Sequence, residues 1–140
     1  MSNVRNVQIA GAVLRIALGV MYLTHSIVLK VLTFGFEGTS QFFQSIGLPG
    51  ALAYLTIFAE AIGGTLLVLG IGTRYVALAL IPILAGALWV HSGNGWVFSN
   101  AGGGWEYPLF LIVTSVVVAL LERGSLRPQF LATPALSPAR

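Results

Sequence analysis

Residues Ala59 to Arg74 read Ala-Glu-Ala-Ile-Gly-Gly-Thr-Leu-Leu-Val-Leu-Gly-Ile-Gly-Thr-Arg. The stretch sets Glu60 inside an apolar run from about Ala51 to Gly70, turns through Gly70, Gly72 and Thr73, and enters a second apolar run at Arg74. This is the pattern of a hydrophobic helical hairpin holding one acid. A lone carboxylate is costly in hydrocarbon, so Glu60 must be neutral, paired or turned to a polar cavity.

The rest of the chain agrees with a membrane reading. Of 140 residues, 56% are hydrophobic and only 8% charged, with a mean hydropathy of +0.90. A soluble domain carries about 25% charged residues, so an integral membrane protein embedded in a lipid bilayer is expected. The net charge of +3 rests on seven basic and four acidic side chains with no basic run, which excludes a nucleic-acid platform. Without cysteine there is no disulfide, thiolate metal site or thiol redox chemistry, so any electrons travel on a bound molecule or a partner.

Hydrophobic runs predict an all-α protein: a four-helix up-down-up-down transmembrane bundle with helices over about 7–32, 51–70, 74–91 and 105–121. Residues 1–124 form a single domain in this reading, and 125–140, with three prolines, an extended or disordered cytoplasmic tail. Between the first two spans, Thr39 or Ser40 is placed to cap a short helix carrying Phe42, Phe43 and Ile46. Pro82 predicts a kink in the third span. Gly102-Gly103-Gly104 reads as a flexible connector, amid the aromatic belt of Trp89, Trp96, Trp105 and Tyr107. Arg5, Arg74, Arg123, Arg127 and Arg140 fall on one side of this topology, which predicts both termini to be cytoplasmic in a bacterial inner membrane.

At ~100° per residue, Arg15, Gly19, Tyr22, Ser26 and Lys30 share one stripe of the first span, with His25 at its edge. Glu60 and Gly64 share a face of the second, where Gly63 and Gly64 invite close packing, as do Gly19 and Gly86 elsewhere. Counted from the expected inner helix ends, Arg15 and Glu60 differ in depth by ~3 Å, which predicts an Arg15–Glu60 ion pair. Its role is either architectural or one of proton handling or ligand binding. Nearer the outer surface, Tyr22, His25, Lys30, His91 and Glu106 form a polar cluster suited to a quinone headgroup or small anion. Haem ligation by His25 and His91 is disfavoured because His25 lies deeper by about a turn and a half, and the alternative for each histidine is a bond to loop backbone. No metal site, covalent cofactor or catalytic residue is indicated.

These residues also carry a family resemblance. Leu14-Arg15-Ile16-Ala17-Leu18-Gly19 followed by Tyr22, His25 and Lys30 comes first, then Phe42-Phe43 with Ile46-Gly47-Leu48-Pro49. Glu60 with Gly63-Gly64, Leu66 to Gly70, Thr73-Arg74, His91 and Gly104-Trp105-Glu106-Tyr107-Pro108-Leu109 complete the series. In order and spacing the set resembles the DoxX family, departing from it at Ser26 and in the ending from Glu122 to Arg127. The resemblance implies a bacterial four-helix membrane protein related to the membrane subunit of an archaeal thiosulfate:quinone oxidoreductase. The expected function is a quinone-linked redox protein or the membrane subunit of such a system. A second reading is a non-catalytic accessory subunit on a larger respiratory or photosynthetic complex, and a third a small-solute or ion carrier. Membrane-protein partners or a homo-oligomer accompany each.

Overall fold

A computed structural model describes residues 2–122, and its described residues are all helical or connecting, with no strand. The expected tail over 125–140 and the domain boundary at 124 lie outside the described residues. Helix α1 (Ser2–Leu23) runs without a break into a π-helical segment, Thr24–Thr33. The short helix α2 (Gly35–Ser45) follows, then α3 (Ala51–Leu69). The third hydrophobic run is divided into α4 (Thr73–Ala79) and α5 (Ile81–His91), and α6 (Glu106–Leu121) closes the described chain.

Val4–Thr33, Ala51–Leu69 and Thr73–Asn94 are each long and apolar enough to cross a membrane. Helix α6, with 16 residues, spans ~24 Å and is shorter than a ~30 Å hydrocarbon core. Helix α1 packs on α3 and α6, α3 on α4, and α6 on α4 and α5. The core is made by Leu18, Tyr22, Leu67, Leu80, Leu84, Leu111 and Val118, among others. Polarity is arranged opposite to that of a soluble bundle: Leu120 is 76% exposed whereas Glu60 is 5% exposed. Large apolar side chains on the outside and charge within suit a lipid surround.

The hairpin that opened the sequence reading is built by its glycines. Gly70, at φ 71°, lets the Ile71 N–H donate to the Leu66 carbonyl (2.9 Å) and its own N–H to Leu67 (3.2 Å), a Schellman closure of α3. Gly72, at φ 57°, then turns the chain into α4, a backbone conformation that side chains with a Cβ resist. Pro82 has no N–H to continue the helix, and the break falls at Leu80, with the proline in the first turn of α5. That is the expected interruption. The helix after the first span differs from expectation: α2 starts at Gly35, so Thr39 lies inside it, its hydroxyl 2.8 Å from the Gly35 carbonyl and 2.9 Å from that of Lys30.

Candidate functional site

The site is positioned by the crossing of α1 and α3. A Cβ on Gly19 would lie 2.8 Å from the Gly64 carbonyl oxygen, and one on Gly64 would lie 2.8 Å from that of Gly19. With nothing larger tolerated, the antiparallel register of the two helices is fixed there. Gly63 makes the equivalent room for the Leu80 side chain. Gly86 does not: it is exposed, with open space beside it among the described residues.

From that register the partners of the buried charges follow, and they are not those expected. Glu60 is level with Leu23, eight residues or ~12 Å further along α1 than Arg15. Side chains on a helix lean toward its N-terminus, so on antiparallel helices Arg15 leans toward the C-terminal end of α3 and Glu60 toward its N-terminal end. They point apart. Depth counted from Val7 misplaces Arg15, because α1 begins earlier and overhangs the end of α3.

Arg15 instead closes the bundle at the C-terminal end of α3. Its Nη1 donates to the carbonyls of Leu67 (2.7 Å), which also accepts from the Gly70 N–H, and Val68 (2.8 Å), both in the last turn of α3. A cation there also meets the negative end of the helix dipole. Its Nε lies 3.5 Å from Glu122 Oε1, an ion pair without hydrogen-bond geometry. The guanidinium rests on Gly70, where any Cβ would be 3.0 Å from Arg15 Cζ.

Glu60 pairs with Lys30. The Lys30 Nζ donates to Glu60 Oε2 at 2.6 Å, across the interface between the π-helical segment and α3. Here the lean works in favour of contact, since Lys30 reaches back along its helix toward Glu60 and Glu60 reaches along α3 toward Lys30. The glutamate side chain is 6% exposed and the lysine side chain 18%, so the lysine forms the open edge of an otherwise buried pair. Beside it lie Tyr22, Ser26 and Ser115, all at or below 1% exposure. Glu60 and Ser115 are the polar neighbours of the Tyr22 phenol. Its hydroxyl makes no hydrogen bond of good geometry, although the Ser115 hydroxyl, which donates to the Leu111 carbonyl at 2.8 Å, stands beside it. An orphaned buried hydroxyl is a free donor waiting inside the bundle.

The π-helical segment carries Lys30 to this place. Its wider turns are marked by the Phe34 N–H donating to the Leu29 carbonyl (2.9 Å), five residues back, and by the Thr33 hydroxyl donating to Val28 (2.8 Å). Such turns are rare and recur at functional positions. The local sequence, Thr-His-Ser-Ile-Val-Leu-Lys-Val-Leu-Thr, has no glycine or proline to announce it.

The remaining members of the expected outer cluster serve different neighbours. His25 stacks on Tyr107 with ring centroids 6.4 Å apart. His91 Nδ1 lies 2.9 Å from the Gly102 carbonyl and 3.1 Å from that of Gly103, and two acceptors require its proton on Nδ1. Glu106 Oε1 accepts from the Phe98 N–H at 2.8 Å. Asn94 Nδ2 binds the same two glycine carbonyls as His91, and Trp96 meets Trp105 edge-on at 4.5 Å. The glycine run is therefore a built loop rather than a loose connector: Gly102 and Gly103 take φ near 80°, and a Cβ on Gly104 would collide with the carbonyls of Trp96 and Val97. Tyr22 and Lys30 thus belong with Glu60, whereas His91 and Glu106 hold a loop. Ser115 and Glu122 were missed; a serine amid Val and Leu on α6 and an acid at its end were the available signals.

Comparison with known families matches residues 10–93 to DoxX. The chain belongs to the DoxX family. A member-like relative in Bacillus subtilis (strain 168), named "Putative oxidoreductase CatD", is 34% identical over 116 residues, covering 83% of this chain and 81% of that protein. No solved structure matches. The DoxX match includes Arg15, Gly19, Tyr22, Lys30, Glu60 and Gly64, the residues that set the helix crossing and the buried pair.

Proposed function

We propose that this DoxX-family chain is a quinone-linked membrane component of an oxidoreductase system, with the quinone headgroup received at Lys30, Glu60 and Tyr22. In this reading four helices span a bacterial inner membrane, α6 being the short one, with both termini cytoplasmic. The observation that carries it is the buried Lys30–Glu60 pair beside the unpartnered Tyr22 hydroxyl. The oxidoreductase name of the Bacillus relative gives it further support.

The residues fit such a headgroup. A quinone offers two carbonyl acceptors, and this centre has an ammonium and a phenol as donors with a carboxylate to hold a proton. Lys30, at the open edge, meets the headgroup first and orients one carbonyl; the Tyr22 hydroxyl is free to donate. Glu60, held by Lys30, keeps a proton-accepting oxygen in a site from which water is largely excluded. When bound, the quinone would supply the two-electron redox chemistry that a chain without cysteine lacks.

The test is quinone binding by protein purified into nanodiscs. Wild type should retain a membrane quinone through purification, and Lys30→Met or Tyr22→Phe should weaken binding at least about tenfold, the equivalent of one hydrogen bond to a charged or buried group. Folded wild-type protein that neither retains nor rebinds quinone sinks the proposal. The accessory-subunit reading has one observation of its own. Helix α5 packs on α6 rather than on α3, and its outward Ala85 and Gly86 leave a face that a partner helix could approach closely. Co-purification of a larger redox complex in mild detergent would favour it.

A further inference from the structure

The Lys30–Glu60 pair joins the π-helical segment to α3, and α2 packs on those same two elements. The short helix therefore lies across the seam in which the two charges meet. Thr39 and Ser40 turn into that seam, and they are the only buried residues of α2. Its large apolar side chains do not anchor it. Phe42 is exposed, and Phe36, itself 39% exposed, reaches α3 only by stacking on Tyr54 at 6.0 Å and tilting against Phe58 at 6.4 Å. A helix that buries a threonine and a serine but no apolar side chain is a low-stability unit of its fold.

Both ends of α2 are built to turn. Gly35, at its start, has φ 74° and Gly47, just past its end, has φ 83°, and a Cβ added to either would meet nothing within 4 Å. Positive φ accounts for glycine at these positions, and the open space leaves the backbone room to pivot. Between the two joints the hold is a polar latch. The Thr39 hydroxyl lies 2.9 Å from the Lys30 carbonyl and 2.8 Å from the Gly35 carbonyl of its own helix, so its one proton can leave the first acceptor for the second. Lys30 is thus gripped twice, through its carbonyl by α2 and through its ammonium by Glu60.

We infer that α2 is a lid over the Lys30–Glu60 site, hinged at Gly35 and Gly47 and latched by the Thr39 hydroxyl on the Lys30 carbonyl. Opening exposes the lysine edge of the pair to a ligand, and closing shuts the ligand away from water. Latch and ammonium belong to one residue. A ligand that draws Lys30 from Glu60 therefore also disturbs the latch, so occupancy and lid position are linked. The inference rests on the proposed function only in taking the pair for a ligand site, and it holds for any ligand that must reach Lys30.

Lys30 is the only lysine of the chain and there is no cysteine, so a lysine probe and a disulfide lock are both unambiguous. A Cβ on Gly50 would fall on the Ser40 hydroxyl, which sets Ser40→Cys and Gly50→Cys within bridging distance across the α2–α3 contact. The probe is membrane-permeant succinimidyl acetate on protein in phosphatidylcholine nanodiscs, with acetylation of Lys30 read by mass spectrometry against the amino terminus. The oxidised double variant should be acetylated at Lys30 at least about tenfold more slowly than the same protein after reduction, as expected when a local opening is blocked. Thr39→Val keeps the side-chain shape and removes the latch, and it should speed labelling over wild type about threefold to tenfold, the worth of one hydrogen bond. Equal rates in oxidised and reduced protein overturn the lid. A Thr39→Val rate no higher than that of wild type overturns the latch and with it the proposal, and this arm decides alone if the bridge does not form. A lock that protects Lys30 while a tail-less quinone binds neither redox form leaves the lid standing and sinks the quinone reading.

Discussion

Lys30 and Glu60 meet at 2.6 Å although Lys30 lies well outward of the residue that faces Glu60 across the α1–α3 crossing. The contact exists because each side chain leans toward the N-terminus of its own helix, and antiparallel helices make those leans converge. Removing one partner should therefore strand the other. We expect Lys30→Met or Glu60→Leu alone to destabilise the folded protein by about 3–5 kcal/mol, and the double substitution to restore most of that stability. Thermal unfolding of the four species in detergent measures the cycle. A double variant that regains stability but not quinone binding would separate the structural part of the pair from its functional part.

Tyr22→Phe should behave in the opposite sense. The ring stays buried while the unpartnered hydroxyl is removed, and an unsatisfied buried polar group costs about 1–3 kcal/mol. The expected outcome is equal or higher thermal stability together with weaker quinone binding. A clear loss of stability would mean that the hydroxyl already serves the fold.

Glycines at the helix crossing and on the free face should respond differently. Gly64→Val places atoms on the Gly19 carbonyl and should destabilise by at least about 1–3 kcal/mol, as overpacking does. Gly86→Ala meets nothing among the described residues and gains helix propensity, up to about 1 kcal/mol. Unfolding midpoints of the two variants provide the comparison. Destabilisation by Gly86→Ala, with no change in the isolated bundle's helicity, would point to a partner on that face.

His91→Ala should loosen the loop over 92–105 without disturbing the buried pair. Loss of the Nδ1 contacts leaves the Gly102 and Gly103 carbonyls to Asn94 alone. Amide hydrogen exchange should accelerate across 94–106 by roughly tenfold, that is by about one hydrogen bond, and remain unchanged around Gly64. The expected headgroup affinity for a tail-less quinone is that of wild type. A tail-less quinone bound more weakly by His91→Ala would return His91 to the headgroup site.

Much of the fold was legible because its signals are local. Gly70 and Gly72 need positive φ, Pro82 lacks an N–H, and Gly19, Gly63 and Gly64 leave room that a neighbour fills; each can be read from a few residues. The pairing of charges was not, since it depends on where two helices cross and which way their side chains lean. Arg15 and Glu60 were recognised as buried charges that need partners, and both have one, but each has a different partner from the other. The π-helical turns carry no local mark at all, and Thr24 to Thr33 would pass for an ordinary helix. The outer polar cluster divided for a related reason: His91 and Glu106 are close in sequence to a loop whose backbone needs them, and local backbone partners were met first.

The converging lean of positions 30 and 60 is indifferent to which of them carries which sign. A glutamate at 30 and a lysine at 60 would reach toward each other along the same line, so homologues are free to exchange the two charges together. Position 15 has no such freedom, because its partners are carbonyl oxygens at the end of α3 and accept only a donor. Across an aligned family, then, 30 and 60 should covary as a swapped pair while 15 stays cationic, and the two charged sites of this bundle could be told apart from their substitution histories alone.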